Sequence, residues 1–218
     1  MAENQSRRPL ASRDTSWAKR LAQALAKTSL SPNQVSQGSM LAAAIAGAAF
    51  WTSGQVDANA TRAILLISAA VFCQLRLLCN LFDGMLAIEA GKSAPDGAFW
   101  NEFPDRIADI LILVGVGYGV GEPALGWAAA AFAVLTAYVR ELGGANGMPA
   151  DFCGPMAKPH RMAAITLAAV LAAFEPLWNG QNEVLMIALW LVAIGACVTS
   201  LRRAARLRAW LMSKQAAE

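Results

Sequence analysis

Apolar runs about 17 to 25 residues long follow one another along this chain, each long enough to cross roughly 30 Å of hydrocarbon. Short polar or Gly- and Pro-rich breaks separate them. The first run is predicted over residues 35–53 and is built from small residues, which let membrane helices pack closely. Ser31, Pro32 and Asn33 set its start. A polar turn at 54–60 leads to a second run that begins near Thr61 and continues past Arg76 to about Ala90. That is longer than a bilayer needs, so its C-terminal end must leave the hydrocarbon and carry polar groups. A loop at 91–97 precedes a third span over 99–120, and a fourth extends over 123–141. The polar stretch 143–159 then connects to a fifth span over 160–174, and a sixth covers 183–201. Before all of these, residues 15–30 read as a basic amphipathic helix. Trp17, Leu21, Leu25 and Ala18 form its apolar stripe, while Lys19, Arg20, Gln23 and Lys27 lie off it, a pattern suited to a membrane surface.

The expected architecture is all-α, a polytopic membrane protein of six transmembrane helices preceded by an interfacial helix. Residues 1–30 form a cytoplasmic N-terminal segment, 31–212 a single membrane domain and 213–218 a short tail. Composition agrees: 56% of residues are hydrophobic and 15% charged, against about a quarter charged in soluble domains. The N-terminal region is basic without an apolar core and cleavage site, so no cleaved signal peptide is expected. Cys73, Cys79, Cys153 and Cys197 have no C-x-x-C spacing and read as small core residues.

The net charge of +3 conceals an asymmetry. Lys and Arg gather at both termini and in alternate loops, and only Arg62 falls clearly on the other side. By the positive-inside rule the basic side is cytoplasmic, which makes the pattern a topology signal and not a nucleic-acid footprint. The tryptophans cluster towards span ends, as an aromatic belt does. Gly115, Gly117, Gly119 and Gly121 read as close helix packing or a dimer face.

Ionisable groups inside membrane helices are costly and mark function. The second span carries Arg76, Asn80, Asp83, Gly84 and Glu89, and the third carries Asn101, Glu102, Asp105, Arg106 and Asp109. Helical spacing puts Arg76, Asn80 and Asp83 on one face and makes Asn101, Asp105 and Asp109 a single stripe. A short connection makes the two spans antiparallel neighbours, so the stripes can converge. Carboxylate and amide oxygens in one pocket suit Mg²⁺ or Mn²⁺, which hold phosphate oxygens; with no His or Cys there, zinc is disfavoured. Gly84 and Ala87 would let a nucleotide or diphosphate approach the backbone.

The run Asn80-x2-Asp83-Gly84-x2-Ala87-Ile88-x8-Gly97-x3-Asn101-x3-Asp105 resembles the signature D-x2-D-G-x2-A-R-x8-G-x3-D-x3-D of the CDP-alcohol phosphatidyltransferase family. Ser31-Pro32-Asn33 is similar to that family's Thr-Pro-Asn, and six spans behind a basic amphipathic helix are its layout. The resemblance implies a bacterial inner-membrane homodimer in phospholipid biosynthesis with its site facing the cytoplasm. It would transfer a phosphatidyl or substituted phosphoryl group from a CDP-linked donor to an alcohol, releasing CMP. It implies metal binding by Asp83 and Asp105, with Asp105 as general base, and donor binding beside Gly84, Ala87 and Gly97. Arg140, Lys158 and Arg161 would lie near the acceptor or lipid phosphate, with His160 beside them.

Three departures stand out: Asn80 and Asn101 replace the first and third aspartates, and Ile88 replaces the arginine after Ala87. Each amide keeps a metal-binding oxygen but removes one negative charge. Asp109 and Glu102 can restore charge, and Arg76 can take the missing arginine's place at the diphosphate. A salt bridge from Arg76 or Arg106 is the structural alternative for the aspartates, and interhelical hydrogen bonding is the alternative for the asparagines. A silent family member that binds nucleotide-lipid or scaffolds lipid enzymes stays open as a rival. A small transporter explains the acids but not the spacing, and paired broken spans that would support it are not evident.

Overall fold

The computed structural model describes residues 15–89, 91 and 95–215; the basic residues before Thr15, most of the 90–94 connection and the side chains of Ile88 and Glu89 lie outside that description. The described residues form seven α-helices: α1 Ser16–Ala26, α2 Pro32–Ser53, α3 Asn59–Glu89, α4 Gly97–Gly119, α5 Pro123–Ala145, α6 Lys158–Ala172 and α7 Glu183–Gln215. A 3-10 turn, Glu175–Trp178, lies between the last two. Three helical segments are long and apolar enough to cross a membrane: Asn59–Ala87, Pro123–Ala145 and Glu183–Gln215. The other expected spans fall short for different reasons. α2 is diluted by Ser, Gln and Gly, α4 carries acids, and α6 has only 15 residues, about 22 Å of helix.

α2 starts where the break was expected, because Ser31 and Gln34 form a capping box. The Ser31 hydroxyl accepts from the Gln34 N–H at 3.2 Å, the Gln34 side chain accepts from the Ser31 N–H at 2.9 Å, and Pro32 occupies the first turn. One residue on, the Asn33 amide donates to Asp96 at the head of α4 (3.0 Å), and the Trp100 indole donates to the same carboxylate (2.8 Å). These two bonds hold the exposed Asp96 carboxyl below its usual range. α7 continues as helix through the basic residues beyond Leu201, where the span was expected to stop and a tail to begin.

α2 packs extensively against both α3 and α4, which touch each other little. The two polar helices are therefore not the simple adjacent pair that their short connection suggested; α2 is wedged between them. The wedge is possible because glycines bring backbones together. A Cβ at Gly115 would run into the Gly47 carbonyl of α2, and one at Gly119 into the Phe50 carbonyl. One at Gly117 would come within 2.6 Å of Gly126 Cα on α5. Gly115, Gly117 and Gly119 thus serve contacts inside the chain on two faces of α4, whereas Gly121, beyond its end at φ +77°, has open space beside it. Against this frame pack α6 and α7, whose Met162, Ile165, Leu185, Leu189 and Val192 complete the apolar core.

The short helix α1 rests on the C-terminal half of α3 through Ala18, Ala22 and part of Leu25, and leaves the large residues of its expected apolar stripe outward. Ala18 and Ala22 are buried against Leu81, Phe82 and Met85, while Trp17 and Leu21 are 49% and 44% exposed. The alanines permit close approach, and the larger residues are left facing outward, with Trp17 touching Phe82 only by its edge.

Gly115→Ala is expected to cost on the order of 1–3 kcal/mol, because no rotamer change relieves a backbone collision. Gly38→Ala, where a Cβ meets nothing within 4 Å, is expected to leave stability unchanged. Thermal unfolding of both variants in detergent checks the pair; equal melting temperatures would contradict the packing described here.

Candidate functional site

Charge dictates what happens at the site end of the bundle. Arg76, midway along α3, is fully buried, and an unpaired guanidinium there would be untenable. α4 supplies its partners. One Arg76 nitrogen lies 3.2 Å from Asp105 Oδ1, 3.4 Å from the Asp105 carbonyl and 3.5 Å from Asp109 Oδ1. Asp109, equally buried, receives the Arg161 guanidinium of α6 at 2.6 Å. Arg161 donates as well to the Met156 carbonyl at 2.9 Å and weakly to Thr136 of α5 at 3.4 Å. A chain of alternating charge therefore runs from α3 through α4 to α6. Arg76 Nε and Nη1, Arg161 Nε and Asp109 Oδ1 keep unmet hydrogen-bonding capacity along it.

Asp105 is the hub. The Asn80 amide and Arg76 both donate to its Oδ1, while Lys158, at the start of α6, donates to its Oδ2. Arg106 stands 3.6 Å from Oδ2. Asp83 is close enough to Asp105 and Lys158 to interact with both charges. Its Oδ1 accepts from the Gly84 N–H at 2.6 Å, and its Oδ2 accepts from the Ser36 hydroxyl of α2 at 2.6 Å. The wedge helix thus aims Asp83, a role the sequence reading missed because a serine among small residues signals only packing.

The remaining expected residues divide. Gly97, at the first turn of α4, has open space beside it, and Ala87 lies one helical turn beyond Asp83 on the partly buried end of α3. Asn101 is exposed, one turn before Asp105. His160 turns away and contacts the Pro155 carbonyl at 3.0 Å. Arg76 has no exposed surface and is engaged by two carboxylates, which corrects the expectation that it reaches a diphosphate in place of the missing arginine. Asp109 is fully buried and lies against two guanidiniums, those of Arg76 and Arg161.

The basic constellation is not an open anion site. Arg140 is held by Glu102 at 2.5 Å and by Glu141 at 2.8 Å, and it lies 5.6 Å from the centre of the Phe152 ring. Glu102 also faces Arg106 at 3.7 Å. Arg203 of α7, which sequence reasoning folded into the basic tail, is buried here and donates to the carbonyls of Cys153 (3.0 Å) and Thr136 (2.8 Å). Its only sequence signal was a helical register that points inward.

No family model matches the chain. The phosphatidylinositol phosphate synthase of Streptomyces avermitilis is 29% identical to it over 142 residues, 62% of this chain and 58% of the relative. A bifunctional IPC transferase and DIPP synthase of Rubrobacter xylanophilus is 34% identical over 155 residues, 68% of this chain but 33% of the relative. The phosphatidylinositol phosphate synthase of Mycolicibacterium smegmatis is 26% identical over 193 residues, 84% of this chain and 80% of the relative. The chain therefore spans little more than half of the first of these proteins and a third of the second. Among solved structures, the Mycobacterium tuberculosis phosphatidylinositol phosphate synthase with CDP-DAG bound aligns with a TM-score of 0.73 at 18% identity, covering 88% of this chain and 94% of that one. The same enzyme in complex with manganese and citrate aligns at 0.72 and 19%, covering 87% and 88%. At that identity the likeness is one of fold.

Fold and cluster together define a helical membrane protein that gathers carboxylates, amides and cations at one end of its bundle. With its relatives and the signature spacing, the chain is similar to members of the CDP-alcohol phosphatidyltransferase family.

Removing one partner of a buried ion pair strands the other charge, so Asp109→Ala is expected to destabilise the protein by about 3–5 kcal/mol. Adding Arg161→Met should recover part of that loss. A double-mutant cycle on thermal unfolding measures the coupling, and strictly additive losses would contradict the pairing.

Proposed function

We propose that this chain is a CDP-alcohol phosphatidyltransferase-like enzyme of phospholipid biosynthesis. It transfers a phosphatidyl or substituted phosphoryl group from a CDP-linked donor to an alcohol and releases CMP. The observation that supports this reading is that Asp83 and Asp105, at matched signature positions on α3 and α4, are both buried and each held by hydrogen bonds.

The two oxygens of Asp105 have different surroundings, which supports its role as general base. Oδ1 is fixed by Arg76 and Asn80, and Oδ2 faces Lys158 and the more accessible side. Oδ2 is then the oxygen that takes the proton. The acceptor hydroxyl loses its proton to Oδ2, its oxygen bonds to the phosphorus of the donor, and the bond from that phosphorus to the CMP oxygen breaks. Lys158, displaced from Oδ2 as the alcohol approaches, remains close enough to neutralise a donor phosphate oxygen.

The donor set fits a hard cation. Asp83 and Asp105 offer carboxylate oxygens, and Asn80 and Asn101 offer amide oxygens, with no sulfur or imidazole among them. Asn80 and Asn101 each remove one negative charge relative to the signature aspartates, which favours one Mg²⁺ or Mn²⁺ over two. Bound there, such a cation would draw negative charge off the donor's phosphates. Gly84, Ala87 and Gly97 leave room for the donor beside these groups. Asp109 is assigned to holding Arg76 and Arg161.

The same reading takes α2 to α7 as six spans, α1 as an interfacial helix and the 31–212 region as one catalytic domain. The site faces the cytoplasm of a bacterial inner membrane, and the chain forms a homodimer. α6 is short for a bilayer, and the 3-10 turn after it extends its reach.

Purified protein with CDP-diacylglycerol, Mn²⁺ and a panel of alcohols is expected to release CMP. Asp105→Asn should lower kcat by about 10²-fold or more, since general-base catalysis contributes 10²–10⁴. No CMP with any acceptor would overturn the reading and favour a silent, lipid-binding relative. Separately, Asn80→Asp with Asn101→Asp is expected to tighten Mn²⁺ binding, measured by electron paramagnetic resonance of free Mn²⁺. Unchanged affinity would leave both amides a purely structural role.

A further inference from the structure

Most cationic side chains at the acceptor end lie against acids of the same chain, although Arg203 meets backbone carbonyls instead and Arg106 Nε has no hydrogen-bond partner. Arg161 is committed to Asp109 in a pair whose side chains are at most 2% exposed. Arg140 has two carboxylates, from Glu102 and Glu141, and the Phe152 ring nearby. Lys158 is on Asp105, and the backbone carbonyls of Cys153 and Thr136 take up Arg203.

A phosphate on the acceptor would bring roughly two negative charges and several acceptor oxygens into this region. It needs donors that are not already neutralised, and it must avoid neighbouring carboxylates. Glu102 lies against both Arg140 and Arg106, so a phosphate seated on either guanidinium would meet Glu102 at short range. A hydroxyl has no such conflict. It asks only for an acceptor for its proton, and carboxylates such as Glu102 are good partners for further hydroxyls.

We infer that the acceptor is an alcohol without a phosphate group, and that Glu102 enforces this by occupying Arg140. Of the two roles open to the basic constellation, the phosphate it serves is then the donor's, through Lys158. This inference rests on the transferase reading above and deepens it.

The test has a turnover arm and a binding arm. In turnover, glycerol is compared with glycerol 3-phosphate and myo-inositol with myo-inositol 1-phosphate, using the same CDP-diacylglycerol donor. The unphosphorylated member of a pair is expected to have at least a tenfold higher kcat/KM; preference for the phosphorylated members overturns the inference. In binding, titration calorimetry with glycerol 3-phosphate, myo-inositol 1-phosphate and inorganic phosphate is expected to show no site below millimolar in the wild-type protein. Glu102→Gln is expected to gain such a site, by about tenfold or more in affinity, as one charge-assisted hydrogen bond is freed. Submillimolar binding to wild type overturns the inference, and no gain in Glu102→Gln overturns the assignment to Glu102. Glu141→Gln, at an exposed position, serves as the second variant if Glu102→Gln does not fold, and it too should gain affinity. If no alcohol yields CMP, the transferase reading fails, and the binding arm still decides whether this surface accepts a phosphate.

Discussion

A guanidinium without any exposed surface sits in the middle of an apolar helix, and the site end of this protein is arranged around neutralising it. Arg76 can be there only because Asp105 and Asp109 reach it from α4, and Asp109 in turn fixes Arg161 of α6. Lipid gives helices no hydrophobic reason to associate, since its tails are as apolar as leucine. Two other forces do that work here. Glycine contacts let backbones of α2, α4 and α5 touch, and buried charge ties α3, α4 and α6 together where α2 leaves α3 and α4 only a small direct contact.

The far end repeats the charge device with simpler chemistry. Arg62 of α3 donates to Glu175 at 2.6 Å, to Asn182 at 2.8 Å and to the Ala172 carbonyl at 3.2 Å. Glu175 also accepts the backbone N–H groups of Asn182 and Val184, satisfying donors at the start of α7 that would otherwise be orphaned. Both Glu175 oxygens are taken up within the chain, so the network reads as a staple. At the site end, by contrast, Arg76, Arg161 and Asp109 keep unmet capacity.

Much of this was legible in the sequence because it depends on local rules. Apolar run length fixed the number and order of the helices after α1, the Ser31-Pro32 break fixed the start of α2, and spacing put Arg76 and Asn80 on the face of α3 that reaches Asp105. What was not legible depends on partners distant in the chain. The packing of α1 on α3 through Ala18 and Ala22 gave no signal, because alanines are apolar without marking a partner. Arg76 looked available to a ligand because the periodicity that placed it on the face with Asn80 also placed it opposite two acids of α4, and no single-helix pattern shows how deep a face lies. Arg203 was hidden in a basic run whose composition already had a topological explanation. Ser36 gave no signal apart from its size.

The asparagine at position 80 alters more than a charge count. It gives an N–H to Asp105 Oδ1, a contact that an aspartate could make only through a shared proton or a bridging cation, because two carboxylates at that separation repel. Lys158 supplies a fixed positive charge at the other oxygen. The resting cluster is therefore held together by the chain's own groups, where a four-aspartate signature would require external cations merely to exist. Adding a lone divalent cation to a balanced cluster costs electrostatic energy, and so does adding a lone diphosphate. Together they nearly cancel. Under the proposed function, Asn80 therefore favours a divalent ion held together with the donor's phosphates over one held alone.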